Sequence, residues 1–189
     1  MAPKIFFIIG PPGSGKGTQA VLLQKKYKLA YIGTGALLRE RMKMPDYTGR
    51  KIKKTLLNGW RAPTPIVFNM WMNKLEELRN QKNFRGFILD GSPRTRYEAE
   101  MIEIAMDWFG WKKYLKVIYV AISARESRKR LLGRRRFDDT IRDINERLRW
   151  YKTDVLPAIA YFKKRKALMH INGAQSVKNV FKDIVSAIR

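Results

Sequence analysis

Cysteine is absent from the 189 residues of this sequence, and histidine occurs only once. Without cysteine the chain has no disulfide bond and no thiolate zinc site, so any metal is expected to be bound through oxygen atoms. The single histidine, His170, falls within an apolar run that predicts a strand. We expect it to be packed or locally hydrogen-bonded there, without a catalytic role.

Long apolar runs are lacking as well. The apolar stretch at residues 5–9 is far too short to cross a membrane, and Gly10, Pro11 and Pro12 interrupt it before a signal-peptide core could form. We therefore expect a cytoplasmic protein with no membrane partner. Apolar residues still make up 45% of the chain, which is enough for an ordinary buried core in one compact domain.

Acidic residues are scarce, because 16 Asp and Glu stand against 40 Lys and Arg and leave a net charge of +24. Such an excess attracts polyanions at low salt, so nucleotides, nucleic acid and acidic membrane surfaces are all candidate partners. The basic clusters are spread along the chain instead of forming a tail, at residues 25–28, 51–54, 128–136 and 163–166. We expect them to belong to the folded body.

Short apolar runs alternate with amphipathic segments of helical period, which predicts an α/β fold with a parallel sheet. The predicted strands are residues 5–9, 30–32, 86–90, 117–122 and 168–172. The predicted helices are residues 16–27, 34–42, 49–58, 65–80, 96–108, 125–133, 139–164 and 177–188. Ligands are then expected at the carboxyl ends of the strands.

A glycine-rich loop follows the first predicted strand and opens the first helix. Its sequence from Gly10 to Lys16 fits the pattern G-x-x-x-x-G-K, in which backbone N–H groups surround phosphate oxygens and the lysine adds a full charge. The loop predicts a nucleoside triphosphate site. Gly17 follows the lysine and delays the hydroxyl to Thr18, so magnesium is expected to be held mostly by phosphates and water.

The chain resembles the adenylate kinase family through four motifs in the family's order. The loop GPPGSGKGTQ matches the family's G-x-P-G-x-G-K-G-T-Q, and GFILDGSPRT at residues 86–95 resembles its G-F-x-x-D-G-F-P-R-T. Thr34, Gly35 and Arg39 resemble its T-G-x-x-x-R, while Arg136 to Asp139 and Arg147 to Leu148 resemble its R-x-D-D and R-L. The resemblance covers nearly the whole chain.

This resemblance implies a P-loop NTPase fold with five parallel strands flanked by helices, and the reversible, Mg²⁺-dependent reaction of ATP and AMP to two ADP. It implies a single kinase domain over residues 1–189, with a helical insert for the monophosphate at residues 35–72 and a lid at residues 134–142. The core is then residues 1–34, 73–133 and 139–189. This lid is short and cannot contain the longer insert that some members of the family have at this position. Members with a short lid are commonly monomers, so a monomer is expected.

The resemblance also implies roles for particular residues. The implied ATP-binding residues are Gly13, Ser14, Gly15, Lys16, Gly17, Thr18, Arg130, Arg134, Gly173 and Gln175. The implied AMP-binding residues are Thr34, Gly35, Arg39, Trp60, Arg61, Ala62, Gly91, Ser92, Pro93, Arg94, Glu98, Arg136 and Arg147. The implied catalytic residues are Lys16, Asp90, Arg94, Arg130, Arg134, Arg136 and Arg147, with Asp90 orienting the water shell of magnesium and no direct protein ligand to the metal.

Phosphoryl transfer accounts for this arginine-rich set. The acceptor phosphate is already an oxyanion, so the enzyme supplies position and positive charge and needs no nucleophilic side chain. Arg130 and Arg134 are four residues apart, and Arg136 and Arg147 are eleven apart, so each pair can share one helix face. A solvated basic face is the alternative interpretation of this arginine run.

Three positions depart from the family pattern. Glu98 stands where a glutamine usually reads the adenine of AMP, and an ionised carboxylate only accepts hydrogen bonds, which suits guanine better. Thr95 is typical of the adenine-accepting branch, so AMP is the expected acceptor, with GMP or CMP and UMP as alternatives. Ala36 replaces a usual Asp, and Ser92 replaces a usual Phe beneath the monophosphate.

A nucleic-acid-binding protein on a kinase scaffold is an alternative of a different class. It is suggested by the net charge and by the basic and aromatic run Trp111, Lys112, Lys113 and Tyr114. The five tryptophans are otherwise expected to be core or packing residues, with Trp60 as a candidate contact to the monophosphate base.

Overall fold

The computed structural model describes residues 2–58, 60–134 and 140–188. Its centre is a sheet of parallel strands in the order β2-β3-β1-β4-β5. The strands are β1 (Lys4–Ile9), β2 (Ala30–Gly33), β3 (Gly86–Asp90), β4 (Leu115–Ala121) and β5 (Leu168–Asn172). The predicted five-stranded parallel sheet is therefore confirmed.

Helices cover both faces of the sheet, as the amphipathic segments predict. They are α1 (Lys16–Tyr27), α2 (Thr34–Arg41), α3 (Tyr47–Leu57), α4 (Thr64–Arg79), α5 (Arg96–Trp108), α6 (Ala124–Arg134), α7 (Ile141–Trp150), α8 (Leu156–Lys164) and α9 (Val177–Ala187). A 3₁₀ turn at Lys112–Tyr114 precedes β4. Most predicted helices agree with these bounds to within two residues.

The helix predicted at residues 139–164 is not α-helical throughout its described part. Its described part is α7, a π-helical segment at Tyr151–Val155, and α8. Pro157 has no backbone N–H to continue the α-helical pattern, and the N–H of Leu156 bonds instead to the carbonyl of Tyr151, five residues back. Thr140 caps α7 by accepting a hydrogen bond from the N–H of Asp143.

The core lies on both sides of the sheet because alternate residues of β1 point to opposite faces. Ile5, Phe7 and Ile9 pack in the cluster that also contains Trp71, whereas Phe6 and Ile8 pack in the second cluster. Each face is covered by apolar helix residues. This explains why the strand is a continuous apolar run, since neither of its faces meets water.

The tryptophans are not all core residues as expected. Trp71 is buried, whereas Trp60 and Trp108 are 63% and 81% exposed. Trp111 is only 3% exposed and its ring stacks on Phe109 at 4.8 Å. Trp111 is therefore not available for stacking on bases, whereas Lys112, Lys113 and Tyr114 of the same run are exposed or half-buried. His170 is exposed and packs its ring against the edge of Tyr119.

Across the described part of the chain, no helix has both the length and the apolar character to traverse a bilayer.

Candidate active site

The loop between β1 and α1 forms one end of the candidate site. Gly13 and Gly15 have φ of +76° and +86°, a left-handed conformation that glycine adopts readily. The ammonium of Lys16 folds back and donates to the carbonyl of Pro11 at 3.3 Å, and the hydroxyl of Ser14 is buried inside the loop. The loop thus turns at two glycines directly before the first residue of α1, where the N–H groups of a helix start can bind phosphate.

Helix α6 packs directly on this loop. A Cβ on Gly13 would lie 3.1 Å from the carbonyl oxygen of Ser127 and 3.6 Å from the Cβ of Arg130, so a larger residue would push α6 away. The hydroxyl of Ser127 donates to the carbonyl of Pro12. The guanidinium of Arg130 donates to Glu126 at 2.6 Å. The Cβ of Arg130 therefore lies beside the loop, while the predicted contact of its guanidinium with ATP stays a prediction.

Positive charge converges on Lys16. Burial is the main cause that lowers the pKa of its ammonium, and Arg94, Arg134 and Arg147 lower that pKa further, while Asp90 raises it. These groups come from four separate parts of the chain: the β3–α5 connection, the end of α6, α7 and the end of β3. The fold thus gathers several of the predicted catalytic residues around one point.

Asp90 ends β3 beside the phosphate loop. Its carboxylate accepts a hydrogen bond from the hydroxyl of Tyr31 at 2.7 Å, and it would lie 3.4 Å from a Cβ on Gly17. Burial and the neighbouring carboxylate raise the pKa of Tyr31. Thr18, the next residue along α1, is exposed. Together Asp90 and Thr18 place oxygen atoms at this end of the loop.

A cleft of about 400 Å³ opens between α2, the start of α4, the start of α5 and α7. We call it the side cleft. Its volume lies in the range that holds small ligands. It is lined by Thr34, Leu38, Trp60, Arg61, Ala62, Pro63, Thr64, Val67, Ser92, Arg94, Thr95, Glu98 and Trp150. Seven of the predicted AMP-binding residues therefore meet in one cleft.

Thr34 and Ser92 form a buried polar pair at the inner end of the side cleft. Their hydroxyl oxygens are 2.9 Å apart, and the indole N–H of Trp71 donates to the hydroxyl of Thr34 at 3.3 Å. Ser92 therefore replaces the usual Phe with a small side chain that has its own buried hydrogen-bond partner. The buried hydroxyl of Ser92 is thus hydrogen-bonded and does not carry the cost of an unsatisfied polar group.

Arg94 enters the side cleft from the connection between β3 and α5. Its Nε donates to the carbonyl of Gly91 at 2.8 Å, which orients the guanidinium. Burial is the main cause that lowers its pKa; Arg61 lowers it further, whereas Glu98 and Asp90 raise it. We call Lys16, Arg94, Arg134 and Arg147 the cationic cluster. Arg94 belongs to this cluster and also lines the side cleft.

Glu98 caps the start of α5 and is only 5% exposed. One carboxylate oxygen accepts the backbone N–H of Arg94 at 2.7 Å, and the other accepts the hydroxyl of Thr64 at 3.2 Å. Thr95 in turn accepts the N–H of Glu98 at 3.0 Å, so the pair resembles a capping box. Glu98 therefore ties α5 to the start of α4.

Arg61 bridges the side cleft. It forms an ion pair with Asp154 in the π-helical segment, and its guanidinium lies 5.1 Å from the ring centroid of Trp150. Neither partner was predicted from the sequence, because Arg61 and Asp154 are 93 residues apart. The interruption caused by Pro157 is the one local signal for an unusual backbone near Asp154.

Gly173 lies against the end of β4. Its N–H donates to the carbonyl of Ala121 at 2.7 Å, and a Cβ there would come within 2.8 Å of the side chain of Val120. The amide of Gln175 donates to Asn172 and Asp183. The glycine is therefore required by close packing, while the predicted contact of both residues with ATP stays a prediction.

Several predicted residues do not line the side cleft. These are Gly35, Arg39, Gly91, Pro93 and Arg147. Arg39 is near Gly35 and close enough to Tyr31 to lower its pKa, so it faces the Asp90 end of the site. Arg136 and the centre of the predicted lid lie outside the described residues. Leu38, Pro63, Thr64, Val67 and Trp150 line the cleft and were not predicted.

In the described ranges, no group of three or more His, Cys, Asp or Glu is arranged to hold a metal ion.

Comparisons with known proteins all indicate the same family, the adenylate kinases. A family model described as adenylate kinase matches residues 8–167. An adenylate kinase of Leptospira biflexa is 35% identical over 98% of this chain and 100% of its own length. An adenylate kinase of Archaeoglobus fulgidus is 31% identical over 93% of this chain and 94% of its own, and adenylate kinase isoenzyme 1 of Oryctolagus cuniculus is 31% identical over 96% and 92%.

Proposed function

We propose, because this chain belongs to the adenylate kinase family of phosphotransferases, that the phosphate loop binds ATP and the side cleft binds AMP, with the cationic cluster between them. The loop at residues 10–18 would hold the ATP phosphates through backbone N–H groups and Lys16. Arg94 would bind the phosphate of AMP at the inner end of the side cleft. The base would lie toward Trp60 and Trp150.

The observation that carries this proposal is the convergence of charge around Lys16. Lys16 at the start of α1 interacts electrostatically with Arg94 from the β3–α5 connection, Arg134 from the end of α6 and Arg147 from α7, with the Asp90 carboxylate beside them. Cations that repel one another and are partly removed from water are costly unless an anion binds among them. Two phosphate-bearing substrates brought together provide such an anion, and their own repulsion is offset by the same cations.

The reaction requires one bond to form and one to break. An oxygen of the AMP phosphate attacks the γ-phosphorus of ATP, and the bond between that phosphorus and its bridging oxygen to the β-phosphate breaks, giving two ADP. The attacking oxygen is already anionic, so no general base is needed. Lys16, Arg94, Arg134 and Arg147 would stabilise charge on the transferring group, and guanidinium forks suit its oxygens. Arg130 and Arg136 are proposed to join them.

Magnesium bound to ATP would neutralise charge on the β- and γ-phosphate oxygens. The residues present fit this group, because the carboxylate of Asp90 lies beside Gly17 and Thr18 follows in α1. Asp90 would orient the water molecules around the ion, and Tyr31 holds the Asp90 carboxylate in place at 2.7 Å.

Two segments are proposed to close over the substrates and exclude water, which would otherwise hydrolyse ATP. They are the insert at residues 35–72 and the short lid at residues 134–142. The ion pair of Arg61 and Asp154 supports the first, because it joins the insert to the segment after α7 across the side cleft. A cytoplasmic location, expected from the short apolar runs, and a monomeric state, implied by the family resemblance, both stay predictions.

The test is to incubate the purified protein with ATP and AMP, with and without Mg²⁺, and to quantify ADP by chromatography. We expect rapid ADP formation that needs both nucleotides and Mg²⁺, and its loss in Lys16→Ala. Lys26→Ala is the control, because Lys26 also lies on α1 but at its far end, where it contacts the ring of Tyr27. ADP formation that is unaffected by Lys16→Ala would contradict the proposal.

A further inference from the structure

The side cleft has an unusual distribution of hydrogen-bonding groups for a site that binds adenine. A buried carboxylate, Glu98, lines one part of it, and a guanidinium, Arg61, lines another. Trp60 and Trp150 border the same space with flat aromatic surfaces. A planar base that enters between these groups meets both an acceptor-only group and a donor-only group.

Glu98 retains capacity to accept hydrogen bonds from a ligand. Each of its oxygens accepts one hydrogen bond from the protein, from the N–H of Arg94 and from the hydroxyl of Thr64. A carboxylate has about four acceptor positions, so one position on each oxygen is left. The two protein bonds also fix the orientation of the carboxylate, which favours recognition of a particular base edge.

The two purines differ in what they present to such a carboxylate. Guanine offers two adjacent donors, N1–H and the 2-amino group, which match two carboxylate oxygens. Adenine offers its 6-amino group but places the lone pair of N1 beside it, where an acceptor is unfavourable. Guanine also has two neighbouring acceptors, O6 and N7, for which arginine is the most frequent partner. The combination of Glu98 and Arg61 therefore favours guanine.

We propose that the side cleft accepts GMP as well as AMP, with Glu98 as the residue that recognises the 2-amino-6-oxopurine base. The inference rests on the proposed function, in which this cleft is the monophosphate site. An oxygen of the GMP phosphate forms the bond to the γ-phosphorus of ATP, the bond to the bridging oxygen breaks, and the products are ADP and GDP. The cations around Lys16 serve both acceptors, because the reacting phosphate is the same.

The capping role of Glu98 is the competing explanation. If the carboxylate only holds Arg94 and Thr64, a glutamine would serve as well, because its amide oxygen accepts and its amide nitrogen can donate to the Thr64 hydroxyl. The two explanations differ in one measurable quantity. Recognition of the base predicts a change in the ratio of GMP to AMP turnover, whereas a purely structural role predicts none.

The first experiment uses the unaltered enzyme with Mg-ATP and AMP, GMP or IMP, and measures kcat/KM for each. We expect GMP to be turned over within about tenfold of AMP, and IMP, which lacks the 2-amino group, about tenfold less efficiently than GMP. GDP formation a thousandfold slower than ADP formation, or equal turnover of IMP and GMP, would overturn the inference. This comparison needs no variant and so does not depend on how a variant folds.

The second experiment compares Glu98→Gln with Glu100→Gln. Glu100 lies two residues further along α5 and pairs with Arg96 on the surface, so it controls for loss of a charge from this helix. We expect Glu98→Gln to lower the ratio of GMP to AMP kcat/KM by about 10- to 100-fold, and Glu100→Gln to leave it unchanged. An unchanged ratio in Glu98→Gln would overturn the assignment.

Failure of the proposed function has a different signature. If neither AMP nor GMP is phosphorylated by the unaltered enzyme, the side cleft is not a monophosphate site and both proposals fail together. Turnover of AMP without GMP would overturn only the inference drawn here.

Discussion

Replacing Arg94 by alanine should separate catalysis from stability. The guanidinium is anchored by its bond to the carbonyl of Gly91 at 2.8 Å, and burial lowers its pKa. It lies close enough to Lys16 to lower the pKa of that ammonium. Arg94 is therefore a half-buried cation next to another cation, an arrangement that serves the binding of anions better than the stability of the fold.

The expected magnitudes follow from these contacts. Loss of a guanidinium that stabilises the transferring phosphoryl group should lower kcat by about 10²- to 10⁴-fold, or roughly 3–5 kcal/mol. The fold loses one hydrogen bond, worth about 1 kcal/mol, but is relieved of part of the repulsion around Lys16. The thermal midpoint should therefore stay within about 4 °C of the parent value.

Arg96→Ala is the matched control for this experiment. Arg96 lies two residues further along the chain, its side chain is 69% exposed, and its ion pair with Glu100 at 2.8 Å is a surface pair worth about 0.3–0.5 kcal/mol. Its turnover should equal that of the parent. Both variants are compared by a coupled assay of ADP formation and by thermal unfolding followed by circular dichroism.

Two results would refute the reasoning on Arg94. Turnover within threefold of the parent would mean that Arg94 does not contact the transferring group. A fall of more than about 10 °C in the midpoint would mean that its main role is structural.

Two further predictions test other parts of the site. Burial lowers the pKa of Lys16 below its ordinary value of 10.5, so the folded protein bears the cost of a buried charge at neutral pH and sheds it as the pH rises toward 10.5. Lys16→Met should therefore be inactive yet melt at a higher temperature than the parent at pH 7, and the difference should shrink as the pH rises toward 10.5; a lower midpoint at pH 7 would contradict this. Asp154→Asn should weaken the ion pair across the side cleft and raise the KM for AMP about three- to tenfold with little change in kcat. Glu77→Gln, which breaks the surface pair with Lys74 on α4, should change neither constant, and an unchanged KM in Asp154→Asn would remove the proposed role of the bridge.

The parts of the fold that were predictable are those in which a local pattern has one physical meaning. Apolar runs such as the one in β1 predict buried parallel strands, because both faces of such a strand are covered. The phosphate loop was predictable because its glycines and Lys16 are close in sequence and their spacing has few other uses. The π-helical segment was missed, although Pro157 signals an interruption, because helical periodicity alone does not reveal where the backbone adjusts.

The side cleft was only partly predictable, since its chemistry depends on contacts between distant segments. Glu98 was singled out from the sequence, but its hydrogen bond with Thr64 joins residues that are 34 apart. The hydrogen bond that its carboxylate accepts from the backbone N–H of Arg94 forms only once the turn before α5 is folded. The pairing of Arg61 with Asp154 and its contact with Trp150 likewise depend on how α4 meets α7. Exposure of Trp108 was missed because helical periodicity shows which residues share a face but not which faces remain uncovered.

Transfer of a labelled phosphoryl group tests the central claim most directly. The enzyme is mixed with Mg-ATP that carries an isotopic label in its γ-phosphate and with unlabelled AMP, and the products are separated before much ATP is consumed. Direct transfer predicts that the label appears at the β-position of ADP, with little free labelled phosphate and none of this transfer in Lys16→Ala. Label released mainly as inorganic phosphate, at a rate independent of AMP, would show hydrolysis in place of transfer and contradict the account.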